Sequence, residues 1–297
     1  MDLLYRLKQS PEKFDILEDI KLQIKPILFN VINNIKFTDS GIIKIEDSTL
    51  PKIKLSDFYS KEEQNNNIIH LSNYLYTNLK SNNYDKFISN FTPIFILETI
   101  IYNYKKKNII SFIYRSNKLV FHCYFRNNCD YMDILIKAVK SFTFLEYCKI
   151  KNQEINIYYA NTKFKKKLPK YKILGPNSVN SGLTSKNRLL DSKYITIFRK
   201  EESDKVLLHE IVHYLEMEFS DLNESNRVIN QIILNDFNVN QDSRYINFFE
   251  SYTDSIAIIF NSIFNSILTD KSISDYYYTE IDHIEKIIIK ILSFFNI

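Results

Sequence analysis

The stretch KVLLHEIVHYLEMEF, residues 205–219, constrains the fold more than any other segment. Val206, Leu207, Leu208, Ile211, Val212 and Leu215 surround two histidines and a glutamate with apolar side chains. Such a segment makes a mostly buried helix, so the chain must supply partners for His209, Glu210 and His213. Ser203 or Asp204, just ahead of it, can cap that helix. Only five histidines occur in the 297 residues, and two of them stand four apart here. On a helix, residues i and i+4 lie one above the other, so both imidazoles can direct a nitrogen at one metal ion. Glu210 is about a third of a turn from His209 and reaches a water beside that metal rather than the metal itself. This is the physical content of the HExxH pattern: two zinc ligands and a general base on one helical turn. The competing reading is a buried histidine pair satisfied by carboxylates or backbone carbonyls.

A catalytic zinc needs three protein ligands and an open position. Glu216 stands where the pattern HExxHxxGxxH requires glycine, and Phe219 where it requires histidine, which excludes that arrangement. The best third ligand lies in NFFESYTDSIAIIF, where Glu250 and Asp254 share one face of an expected helix among apolar neighbours. Glu224, Asp236, Asp242 and His283 compete for the role.

HEIVH followed by a helix bearing Glu250 and Asp254 resembles the gluzincin arrangement of thermolysin- and neprilysin-type zinc metallopeptidases. The resemblance spans roughly residues 130–260. It implies a zincin-like catalytic core, with Glu210 as general base and Zn2+ held by His209, His213 and Glu250. Asp254 would orient a zinc-binding histidine. The strand KYITIFRK resembles the zincin edge strand, to which extended substrate adds. Thermolysin-like enzymes stabilise the oxyanion with a histidine from a later helix, and His283 is the implied counterpart, with Tyr276, Tyr277, Tyr278 and Arg244 as rivals. The gap from His213 to Glu250 departs from both the thermolysin and the aminopeptidase spacing, and no GAMEN-like segment is present. The run VNSGLTS…IFRKEESDKVLLHE also resembles uncharacterised metallopeptidases of large DNA viruses.

Elsewhere, spacings of three and four among Leu17, Ile20, Ile24, Ile27 and Val31 predict a helix over 11–35, kinked or ended by Pro26. Residues 37–68 are mixed and polar and read as loop. Helices are expected at 70–79, 91–104 and 130–148, and a hairpin of strands at 109–115 and 118–125. Strands at 154–160 and 193–200 flank the basic loop 163–172, and helices are expected near 223–237, 244–268 and 276–295. The fold class is α+β: a mainly helical region over 1–105, then a metallopeptidase-like region over 106–297 with C-terminal helices.

Composition narrows the function. Asparagine, lysine, isoleucine, tyrosine and phenylalanine abound while glycine numbers three, a pattern of AT-rich coding that lowers the weight of any lysine cluster. The net charge of +4 is mild, so nucleic acid is not expected as a partner, and KFKKKLPKYK reads as a solvated loop. Cys123, Cys129 and Cys148 form no paired framework and suit a reducing, intracellular compartment; with His122 they match no zinc-ribbon spacing. Charges run through the first twenty residues, so no secretory signal is expected, and the apolar runs 255–268 and 286–295 are too short to span a bilayer. The sequence points to a zinc-dependent peptidase acting on a peptide or protein substrate. The alternative from another class is a catalytically inactive scaffold or interaction protein. Glu210 separates the two, because a scaffold needs no general base.

Overall fold

The computed structural model describes residues 12–45, 84–87, 89, 92–166, 180–187, 192–217 and 248–295. It is an α+β arrangement: six helices and one six-stranded mixed sheet among the described residues. The helices are α1 (Glu12–Asn34), α2 (Ile94–Asn103), α3 (Tyr131–Tyr147), α4 (Ser203–Tyr214), α5 (Phe248–Thr269) and α6 (Ile273–Phe295). The strands are β1 (Lys36–Lys44), β2 (Lys106–Tyr114), β3 (Asn117–Phe125), β4 (Glu154–Ala160), β5 (Gly182–Asn187) and β6 (Ser192–Ile197). The sheet order is β1-β2-β3-β4-β6-β5. The expected helices at 70–79 and 223–237, and the basic loop beyond residue 166, lie outside the described residues.

β2 and β3 form the expected antiparallel hairpin, turned by Arg115 at φ 53 and Ser116. α3 then carries the chain across one face, so that β4 returns parallel to β3. β6 pairs parallel with β4, and β5 pairs antiparallel with β6. Alternation along these strands feeds two cores. Phe112, Leu119, Phe121, Ile157, Ile195 and their neighbours face α1, α3, α4 and α5. Tyr124, Leu183 and Phe198 face the opposite side, against α2 and the turn of Tyr84 and Phe87. The motif helix α4 is held between β5 and β6 on one side and α5 on the other.

Three departures from the sequence reading have local causes. Pro26 sits within α1 instead of ending it. It is exposed, so the carbonyl deprived of a partner can bond water. Residues 37–44, read as part of a loop, belong to edge strand β1, which is exposed along its whole length. Asp-Ser-Gly interrupts that strand as a bulge between Asp39 and Ile42, where Gly41 takes φ +78 and donates its N–H to the Asp39 carboxylate. KYITIFRK is not the edge strand: β6 lies inside the sheet, and GLTSKN forms the edge β5 beyond it. β5 has little β-branched or aromatic character to announce it.

Candidate metal centre

The helix start of α4 is set by an ionic network. Glu202, with left-handed φ of 57, caps it through its backbone carbonyl, to which the Val206 N–H donates; no side chain caps it. Asp204 lies in the first turn and bonds Lys137 Nζ at 2.6 Å and Lys140 Nζ at 2.5 Å, both from α3. Lys140 also donates to Asn261 and Asn265 of α5. Lys137 donates to Asp133, whose other oxygen accepts from the Tyr159 hydroxyl. Both lysines are almost fully buried. The network ties α3, α4 and α5 together and fixes how α4 faces α5.

Across that seam three ligand atoms converge. His209 Nε2 and His213 Nε2 are 2.9 Å apart, and Glu250 Oε2 lies 3.2 Å from the first and 3.4 Å from the second. A tetrahedral ion with bonds of about 2.0–2.1 Å keeps neighbouring ligand atoms about 3.3 Å apart. The three separations match one face of such a tetrahedron, so these residues fit a metal ion. Among the described residues, no other group of His, Cys, Asp or Glu side chains has this arrangement. The histidines are mostly buried, whereas the Glu250 side chain is 54% exposed, so the centre opens to solvent on the α5 side.

Asp254 completes the arrangement, its carboxylate 2.9 Å from His209 Nδ1. A carboxylate only accepts, so Nδ1 carries a proton, and a metal ion that displaced the proton on Nε2 would meet the lone pair on the side of the ring that faces the centre. Burial alone would pull the His209 pKa down, yet bonds to Asp254 and Glu250 push it up to about 10. Bonds from His209 and His213 hold the Glu250 carboxyl well below the usual carboxylate range. Surroundings that grip a proton this firmly suit a metal cation in its place.

Glu210 points toward β5. The Thr184 hydroxyl stands 2.8 Å from its Oε2 and 2.9 Å from its backbone carbonyl, and one proton serves either. Burial raises the Glu210 pKa, against the pull of His209, Thr184 and His213. Sequence reasoning missed Thr184; its only signal was two positions from a rare glycine. Gly182 has its own reason: a Cβ there would come within 2.8 Å of Ile197 and Val206 side chains and 3.0 Å of the Thr196 carbonyl. Glycine lets β5 lie close enough for Thr184 to reach the motif helix.

The remaining candidates are placed elsewhere. His283 on α6 bonds Glu202 at 3.0 Å, and the neighbouring Lys205–Glu280 pair helps dock α6 on the start of α4. Glu202 precedes His209 by seven residues, about 10 Å along the helix, and His283 does not join the converging atoms. The Tyr276 hydroxyl bonds Thr269. Glu224, Asp236, Asp242 and Arg244 lie outside the described residues. Among the described residues no helix is long and apolar enough to cross a membrane. No family model, no curated protein and no solved structure matches the chain.

Proposed function

We propose that the protein is a zinc-dependent peptidase built on a zincin-like core, intracellular and acting on peptide or protein substrates. The reading rests on one observation: His209, His213 and Glu250 aim three ligand atoms at a common point, with Asp254 behind His209 and Glu210 on the same helical turn. His2Glu is a donor set of catalytic zinc, and the exposed side of the centre leaves room for a fourth ligand. Zinc bound there would lower the pKa of a water and polarise the scissile carbonyl.

The other tasks fall to the chain's own residues. Asp254 holds the His209 ring in one tautomer. Glu210, raised by burial and steadied by Thr184, takes a proton from the attacking water and returns it to the leaving amine. β5 is an edge strand beside Glu210, so an extended substrate adds to it through main-chain hydrogen bonds.

The test is metal content by mass spectrometry, wild type beside His213→Ala and Glu250→Ala, with peptide hydrolysis measured for wild type and Glu210→Gln. The proposal expects about one zinc per chain, lost in both ligand variants, and hydrolysis lost in Glu210→Gln with its zinc retained. Zinc without hydrolysis across a broad peptide library would favour the inactive scaffold. No zinc in folded wild type purified without chelators would sink the metal centre.

A further inference from the structure

The second half of α6 carries three exposed isoleucines that the metal centre alone does not explain. Ile287, Ile288 and Ile289 are 36%, 42% and 55% exposed. Bonds between the helices fix what they lie beside. α4 and α5 run in opposite directions: Asp204 is bridged through Lys140 to Asn261 and Asn265, His209 meets Asp254, and His213 meets Glu250. A short turn joins α5 to α6, with the Ser266 hydroxyl on the Lys271 carbonyl and Thr269 bonded to Tyr276. α6 doubles back along α5, so it runs in the direction of α4. Its Glu280 and His283 bond Lys205 and Glu202 at the start of α4. The same rise per residue then brings Ile287 level with His209 and Asp254, about 8 Å further along.

Burial shows where α6 parts from α5. Ser251, Ser255, Ser262 and Ser266 share one face of α5. Ser262 and Ser266, beside the turn into α6, are buried, whereas Ser251 and Ser255 are exposed. The two helices are therefore closed together near the turn and open at the level of the metal centre. On α6, Ile284, Ile287 and Ile288 lie on the side that carries Ile273 and Tyr277 into the core, so they face this opening. Ile289 points the opposite way.

We propose that the cleft between α5 and the second half of α6 is a substrate groove, whose apolar wall of Ile284, Ile287 and Ile288 selects large apolar side chains at alternate positions beside the scissile bond. The inference rests on the peptidase reading above. Ile284 and Ile288 stand about 6 Å apart along the helix, close to the spacing of alternate side chains in an extended chain, about 6.6 Å. Ser251 and Ser255 supply hydroxyls on the opposite wall, and the exposed carboxylates of Glu250 and Asp254 border the cleft toward α4. The cleft isoleucines are less exposed than Ile289, which suits a slender peptide better than the flat face of a second copy. β5 would hold the substrate's main chain on the Glu210 side, and the cleft its side chains on the Asp254 side.

The experiment uses the full chain as Glu210→Gln, loaded with zinc, so that peptides bind without being cut; zinc content is measured on each sample. Fluorescein-labelled peptides, alike except for leucine or serine at the alternate positions beside the central bond, are titrated by anisotropy. The leucine peptide should bind at least about tenfold tighter than the serine peptide. Ile287→Ser combined with Ile288→Ser should remove most of that preference with zinc content unchanged. Ile289→Ser, the same chemical change on the side turned away, should keep it. All three positions are exposed, and thermal melts of each variant check the fold. A leucine peptide bound no tighter than the serine peptide, a preference that survives the double substitution, or one lost equally in Ile289→Ser overturns the proposal. So does a wild type that sediments as a dimer and is split by the double substitution, because the wall would then face a second copy. Failure of the peptidase reading looks different: no zinc in the folded protein, or leucine peptides bound with preference yet left uncut by wild type.

Discussion

His209 and Asp254, 45 residues apart in sequence, meet across the α4–α5 seam with Nδ1 2.9 Å from the carboxylate. Asp254 is 60% exposed, so its loss should leave the fold intact and act on the ring alone. Asp254→Ala should weaken zinc binding by about 10–100-fold, the usual effect of removing a carboxylate that orients a ligand histidine. Asp254→Asn, which still accepts a hydrogen bond, should fall between. Competition against a chromophoric chelator measures this, and an unchanged affinity in the alanine variant would remove Asp254 from the centre.

Asp204 should matter more to stability than its place on a helix start suggests. It faces two buried ammonium groups, and Asp204→Ala would leave Lys137 and Lys140 with Asp133 as their remaining carboxylate. Breaking a buried pair in this way costs about 3–5 kcal/mol. Lys140→Met should cost less, because Lys137 still neutralises Asp204. Burial would raise the Asp204 pKa, but the two lysines lower it below its ordinary value. A depressed carboxylate stabilises the fold above its unfolded pKa, and that stability is lost as pH falls below about 4. Urea denaturation should therefore show a large gap between wild type and Asp204→Ala at neutral pH that narrows in acid.

The same network shows why the sequence was only partly legible. The motif helix, α3 and the β2–β3 hairpin were readable because their apolar residues recur at a single period. Glu250 and Asp254 were readable because an i,i+4 carboxylate pair among apolar neighbours needs a partner. β1 and β5 hid because polar edge strands carry no period of burial, and β1 is broken by a bulge. The Asp204–Lys140 bond joins residues 64 apart, and Thr184 meets Glu210 from 26 residues away. Neither pairing leaves a local pattern, since sheet order alone brings β5 to α4 and the packing of α3 brings its lysines.

Gly182 offers a test of how closely β5 must approach. Gly182→Ala puts a methyl group 3.0 Å from a backbone carbonyl and 2.8 Å from two side-chain carbons. The side chains can give way and the carbonyl cannot, so β5 should shift outward. The expected loss is about 1–3 kcal/mol of stability. Peptide hydrolysis should fall further than the stability loss explains, because Thr184 moves with the strand. A variant as stable and as active as wild type would show that the close approach is unnecessary.

His122 should give the fold a pH dependence separate from the metal centre. Its ring stacks on Tyr158 at 4.4 Å and its Nε2 meets Asn156, while its buried Nδ1 has no partner. Burial lowers its pKa to about 4 from the ordinary 6.5; Lys107 and Lys86 add to this, and only Asn156 opposes it. Between those values the unfolded chain takes up a proton that the folded chain refuses, so stability falls as pH drops from 6.5 toward 4 and levels off below that. A difference of this size corresponds to about 3 kcal/mol. His122→Phe keeps a ring against Tyr158 and removes the titration, so its stability should decline less over the same interval. Denaturation midpoints measured from pH 4 to 7 decide the matter: wild-type and variant curves that run parallel would mean the folded protein accommodates a charged His122.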